Sequence, residues 1–148
     1  MNVNFWAMKK LYLFIVLFVL SISLNSQSFD GKGDKKLNVG YDIYGYGEGI
    51  KATFDYGIHD MFSLGFGGSY YFDSDSEYYL FGRTAFHFGK IMDYDSCFDL
   101  YPGVEIGYLE RGDVGFTAFI GARYFFSENF GVYAELGNNG SAGISFAF

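Results

Sequence analysis

The stretch VGFTAFIGARYFF, Val114 to Phe126, decides how this chain folds. Val114, Phe116, Ala118, Ile120, Ala122, Tyr124 and Phe126 fall on one alternating set, and Thr117, Phe119, Gly121 and Arg123 on the other. Successive side chains of a strand point to opposite faces, so a period of two marks a strand with one apolar face. The second face carries the question. It is small, polar and sparsely charged, and the rest of the chain has to say whether it meets water or an interior.

The same alternation recurs on both sides of this stretch. Toward the N-terminus it sets Leu37, Val39, Tyr41 and Ile43 against Asn38, Gly40 and Asp42, then Ile50 to Ile58 on even numbers against Lys51, Thr53, Asp55 and His59. Phe62, Leu64, Phe66, Tyr70 and Phe72 oppose Ser63, Gly65, Gly67 and Ser69. Tyr78, Leu80, Thr84, Phe86 and Phe88 oppose Tyr79, Arg83, Ala85 and His87. Phe98, Leu100, Val104, Ile106 and Tyr108 oppose Asp99, Gly103, Glu105 and Gly107. Beyond it, Phe130, Val132, Ala134 and Leu136 oppose Gly131, Tyr133 and Glu135, and Ala142, Ile144, Phe146 and Phe148 oppose Ser141, Gly143 and Ser145. Eight strands follow.

Their connections are hairpin-like. His59-Asp60-Met61, Arg111-Gly112-Asp113, Ser127-Glu128-Asn129 and Asn138-Asn139-Gly140 are short and rich in turn formers. Nothing is long enough for a crossover helix, so the sheet is expected to be antiparallel. Composition agrees: in 148 residues 23% are aromatic, 21 are Gly and one is Pro, a mix that favours strands over helices.

The opening residues are of another kind. Lys9 and Lys10 precede the apolar run Leu11 to Leu20, which fades through Ser21-Ile-Ser-Leu24 into Asn25-Ser-Gln27. A positive start, a short apolar core and a small polar exit read as a secretory signal peptide over residues 1–27, with Met8 an alternative start of translation. The apolar run falls short of the roughly 18 to 20 residues of a spanning helix. Residues 28–36 then form a short periplasmic segment ahead of a barrel over 37–148.

Which face is buried sets the class. A soluble barrel turns its apolar face inward and covers itself with long charged side chains. Here the opposite face is mostly Gly, Ser, Thr and Ala with charges of both signs, a composition suited to a crowded polar interior. The apolar face carries Phe and Tyr near the strand ends, with Leu, Ile, Val and Ala between. Tyr56, Phe62, Phe86, Phe88, Phe98, Tyr124, Phe126, Phe130 and Phe148 gather toward one end and Tyr70, Phe72, Tyr78, Tyr108 and Phe116 toward the other. These resemble the two aromatic girdles of an outer-membrane barrel, and closure would leave no unpaired edge in lipid. The expected fold is therefore all-β, an eight-stranded antiparallel up-and-down transmembrane β-barrel behind a cleaved signal peptide.

Gly121 to Gly137 (GARYFFSENFGVYAELG) and Gly143 to Phe148 (GISFAF) resemble the closing hairpins of the small outer membrane protein beta-barrel domain family of Bacteroidetes-type bacteria, akin to the OmpX and OmpA barrels. The resemblance implies an eight-stranded barrel in the outer membrane of a Gram-negative bacterium. It also implies that Phe148 forms part of the signal read by the barrel-assembly machinery. It carries over no catalytic residue.

The inward charges are the candidate site. Asp42, Lys51, Asp55, Arg83, Asp99, Glu105, Arg123 and Glu135 fall on the polar face, with His59 and His87 near one end. Ionisable groups at membrane depth are costly and therefore functional candidates. An eight-stranded barrel is also just wide enough for side chains to fill, so the same charges can plug the lumen and fix its register. A structural network is the expectation and a narrow ion or proton path the alternative, with Arg123 and Glu135 the pair expected to meet across adjacent strands.

Other signals are weak. The ten Lys and Arg are scattered and the net charge is -7, which excludes a nucleic-acid partner. Cys97 is the single cysteine and has no internal disulfide partner. The acidic run Asp73 to Glu77 reads as a solvated loop, lacking the glycine and ligand count of a calcium loop. His59 and His87 lack the spacing of a zinc site. Gly45-x-Gly-x-Gly49 is followed by no helix, so it is no nucleotide loop. No nucleophile elbow appears and no Ser–His pair is evident, so no enzyme, metal or cofactor is expected. The expected role is structural or interactive at the bacterial surface, in contact with outer-membrane lipid and lipopolysaccharide, as a monomer. A channel is the first alternative; a lipid-modifying barrel enzyme and a soluble lipocalin-like barrel are the remaining ones.

Overall fold

A computed structural model describes residues 28–72, 77–89 and 97–148. The segment read as a signal peptide lies outside these residues, as does all of the acidic loop but Glu77. Eight strands follow in order: β1 (Lys35–Tyr44), β2 (Gly49–His59), β3 (Phe62–Tyr71), β4 (Tyr78–Phe86), β5 (Phe98–Leu109), β6 (Val114–Phe125), β7 (Phe130–Gly137) and β8 (Gly140–Ala147). Each pairs antiparallel with the next, and β8 pairs with β1 to close the barrel.

Carrying each register on to the next strand returns to β1 ten residues along. For eight strands that stagger corresponds to a tilt of about 40° and an interior that side chains fill. We call the end where β1 begins the first rim and the opposite end the second.

The period of two read from sequence sorts inside from outside. Phe66, Leu64, Leu80, Ile106, Ile120 and Leu136 stand outward and exposed at mid-barrel, while Lys51, Thr53, Arg83, Glu105, Thr117 and Glu135 point in and are buried. The one polar non-aromatic residue of the outward belt, Thr84, donates its hydroxyl to the Ser63 carbonyl at 2.9 Å. It therefore presents only its methyl group outward.

The registers explain the glycines. Tyr101 lies opposite Gly121, Phe119 opposite both Gly103 and Gly137, and Phe81 opposite both Gly67 and Gly107. A Cβ on Gly121 would overlap the Tyr101 ring, and one on Gly103 would overlap the Phe119 ring. Large inward side chains thus lie over the adjacent strand, in space left by a neighbour with none. Gly112 is different: it supplies φ +89° in the β5–β6 turn, a backbone region that L side chains rarely adopt.

Both rims are covered. At the second rim Tyr71, Tyr79, Phe81 and Leu109 form an apolar cluster with Tyr46 against it. β6 extends past the end of its pairing with β7 there, and Asn138 completes the ladder: its Nδ2 donates to the Phe116 carbonyl and its Oδ1 accepts from the Ala118 amide, both at 2.7 Å. At the first rim, Ser28, Phe29 and Asp34 are buried. The Gly33 amide donates to the Gly57 carbonyl at 2.7 Å, and the Gly57 amide to the Asp34 carbonyl at 2.8 Å. What reads as a lead-in segment is folded into the barrel mouth, and its last residues, Lys35 and Lys36, already belong to β1.

Candidate functional site

All eight inward charges read from the sequence are buried. Six of them form one connected network. Arg83, on β4, reaches three carboxylates: Nε lies 3.1 Å from Asp55 Oδ1, Nη1 3.2 Å from Glu105 Oε1 and Nη2 2.5 Å from Glu135 Oε1. Lys51 Nζ lies 2.8 Å from Glu105 and 3.5 Å from Glu135, and Arg123 Nη2 lies 3.3 Å from Asp55. The planar guanidinium suits the central place, because its fork of donors can serve several oxygens at once.

Neutral groups take up remaining lone pairs. Tyr101 donates its hydroxyl to Glu135 at 3.1 Å, and Ser141 donates to the same carboxylate at 3.4 Å. Asn38 donates to Asp55 at 2.9 Å and accepts from Ser145 at 2.6 Å. Aromatic faces lie against the cations: Phe119 against Arg83 at 4.7 Å, Tyr101 against Arg123 at 4.8 Å and Phe81 against Lys51 at 5.1 Å. Buried charges are costly unless paired, and each of these six has an ion-pair partner.

The expected Arg123–Glu135 pair is not made. The β6–β7 register puts Arg123 opposite Tyr133 and Glu135 opposite Gly121, two residues away. Glu135 turns instead to Arg83, and Arg123 to Asp55 on the far wall. Asp42 is buried nearer the second rim, opposite Gly49 and Ser141, apart from the other six.

The histidines divide. His59 is exposed, because an irregularity in β2 between Gly57 and His59 breaks the alternation and turns it out of the interior. Its ring lies 6.2 Å from Phe62. His87 is buried, and it completes a chain that sequence reading missed. Its Nε2 is 2.9 Å from Ser63 Oγ and its Nδ1 is 2.5 Å from Asp99 Oδ2. Phe29 stacks on the imidazole, with ring centroids 3.6 Å apart and planes within 6°. The signal available was that Ser63, His87 and Asp99 all lie inward at the same ends of three consecutive strands. Next to them Lys36 is hydrogen-bonded to Asp34 and lies over the Phe125 ring. Among the described residues no group of three or more His, Cys, Asp or Glu is arranged to hold a metal ion.

An outward apolar belt around a charged, filled interior is the reverse of a soluble barrel. The chain resembles a designed transmembrane β-barrel. The solved structure it matches, described as "De novo design of transmembrane beta-barrels", is 18% identical, with a TM-score of 0.60 over 82% of this chain and 99% of that one. At that identity the likeness is one of fold. Residues 18–83 match the model of a family of unknown function (DUF6646), and no curated protein matches the chain.

Phe148 lies on the outward row, exposed, and its amide donates to the Lys35 carbonyl at 3.2 Å. The aromatic residues also gather at the two rims. Phe62 and Phe86, Phe86 and Phe88, and Phe130 and Phe146 meet with ring centroids 4.9, 4.9 and 5.7 Å apart at the first rim, and Tyr70 and Phe72 meet at 5.6 Å at the second.

Proposed function

We propose that this protein is a small outer-membrane β-barrel of a Gram-negative bacterium, with a side-chain-filled lumen and a structural or interaction role at the cell surface. The observation that carries this reading is the inversion of polarity: an exposed belt of Phe, Leu, Ile and Val surrounds an interior holding Lys51, Asp55, Arg83, Glu105, Arg123 and Glu135. In water such a belt would expose far more contiguous apolar surface than a soluble monomer tolerates. In a bilayer it is the stable arrangement.

Dimensions support the same reading. A ten-residue strand such as β1, rising about 3.3 Å per residue at about 40° of tilt, climbs about 25 Å, the height of the apolar band of membrane barrels. The two aromatic rims stand where girdles meet the headgroups. A lumen crossed by Arg83 and packed with the buried Tyr101, Phe119 and Phe81 rings favours a plugged barrel over a conducting one.

Fractionation of cells expressing the full chain tests the location. The protein should sediment with outer membranes and, unboiled, migrate faster on denaturing gels than after boiling. Recovery as a soluble periplasmic monomer would end the reading.

A further inference from the structure

The network around Arg83 accounts for the middle of the interior, and it does not use Ser63, His87 or Asp99. Ser63 belongs to β3 and Asp99 to β5, and His87 directly follows β4, where its amide donates to the Met61 carbonyl at 2.7 Å. Their order is that of a nucleophile, a base and a carboxylate that orients the base. Ser63 Oγ stands 2.9 Å from one imidazole nitrogen while Asp99 holds the other at 2.5 Å.

The neighbouring charges show that this arrangement is not the default pairing. Asp99 lies directly opposite Arg123 in the β5–β6 register, where an ion pair across the strands would be the simplest way to bury both. Arg123 instead sends Nη2 to Asp55, and its Nε and Nη1 have no hydrogen-bond partner among the described residues. Asp99 gives Oδ2 to His87. Two uncommitted donors therefore remain on a buried guanidinium opposite the carboxylate of the relay.

We propose that Ser63 is a nucleophile activated by His87 and Asp99, that it cleaves uncharged carboxylic esters entering at the first rim, and that Phe29 seated on His87 holds the site closed. Phe29 is buried, and its segment lies outside the strand ladder, with the Gly33 and Gly57 backbone bonds and the Asp34–Lys36 pair among its contacts. Withdrawal of the ring opens a flat apolar seat over the imidazole, with Tyr101 beneath it at 5.4 Å. That seat takes an aromatic or short acyl group. The charges on that side balance, Asp34 against Lys36 and Asp99 against Arg123 across the strands, which suits an uncharged substrate.

The chemistry closes without a further reagent than water. Ser63 Oγ bonds to the ester carbonyl carbon as its proton passes to His87 Nε2. The C–O bond to the alcohol then breaks, and His87 returns the proton to the leaving oxygen. Water attacks the acyl-Ser63 ester through the same base, releasing the carboxylic acid and restoring the hydroxyl. Asp99 holds the imidazole orientation throughout.

The test uses the full chain folded in detergent micelles and a fluorophosphonate probe. The wild type should form an adduct slowly and at Ser63, as mapped by peptide mass. Phe29→Ala should label at least about tenfold faster, because the open fraction sets the apparent rate. In the Phe29→Ala background, Ser63→Ala should abolish labelling and turnover of p-nitrophenyl acetate, and His87→Gln should slow both by at least about a hundredfold. Phe29→Leu, which keeps apolar bulk but not the flat ring, serves if the alanine variant does not fold. A folded Phe29→Ala or Phe29→Leu protein that labels no faster than its Ser63→Ala counterpart would overturn the proposal, as would absence of any Ser63 adduct in the wild type when neither variant folds.

Discussion

Replacing Arg83 with alanine should be the most damaging single change in the interior. The guanidinium touches Asp55, Glu105 and Glu135 at 3.1, 3.2 and 2.5 Å, and its removal leaves these carboxylates to Lys51 and Arg123. Lys51 stands at 2.8 Å from Glu105 but 3.5 Å from Glu135, so Glu135 loses its nearest cation. Breaking a buried ion pair by deleting one partner costs about 3–5 kcal/mol, because the other charge stays buried and uncompensated. With a urea dependence of about 2 kcal/mol per molar, the unfolding midpoint in micelles or thin-bilayer vesicles should fall by about 2 M. Arg83→Lys keeps the charge and gives up the fork, so its loss should be roughly half as large. A midpoint for Arg83→Ala within about 0.5 M of the wild type would refute the reasoning, since a loss near 1 kcal/mol is what an exposed pair is worth.

Further changes probe the packing, the register and the belt. Gly121→Val should force the Tyr101 ring from its place, lowering stability by about 1–3 kcal/mol in the same urea titration, whereas Gly112→Ala at the turn should act through backbone strain alone and leave the Tyr101 environment unchanged by fluorescence. A double-mutant cycle on Arg83 and Glu135 should give a coupling above about 1 kcal/mol, and one on Arg123 and Glu135 a smaller one, as the β6–β7 register requires. Phe66→Arg, in the exposed middle of the belt, should cost about 2–4 kcal/mol when the barrel unfolds from lipid vesicles.

Much of the architecture is legible in the sequence because a strand has only two faces. The alternation in Val114–Phe125 assigned Thr117, Phe119, Gly121 and Arg123 to one side, and all four point inward. Period two says nothing of how far one strand is slid along the next. The turn residues between β6 and β7 fit a hairpin, yet a slide of two residues separates Arg123 from Glu135 and gives each another partner. His59 shows the same limit locally, since one irregularity reverses which way a residue points.

The relay of Ser63, His87 and Asp99 was hidden for a related reason. It depends on two registers at once, β3 on β4 and β4 on β5, on the turn of the chain at His87 just past β4, and on the seating of Phe29, which belongs to no alternating stretch. The mouth segment has little apolar content besides that ring, so it reads as a linker. Its burial comes from tertiary contacts: a ring on a ring, and backbone bonds of Gly33 and Asp34 with Gly57.

The central claim is that the apolar face meets lipid and the charged face does not. Single cysteines placed in a Cys97→Ser background along β3, at outward Leu64, Phe66 and Gly68 and inward Gly65, Gly67 and Ser69, can be labelled with a small fluorophore in vesicles carrying lipid-attached quenchers. Quenching should alternate with a period of two, strong at the outward positions and weak at the inward ones. Uniform quenching along the strand, or quenching of the outward positions by a water-soluble agent alone, would contradict the account.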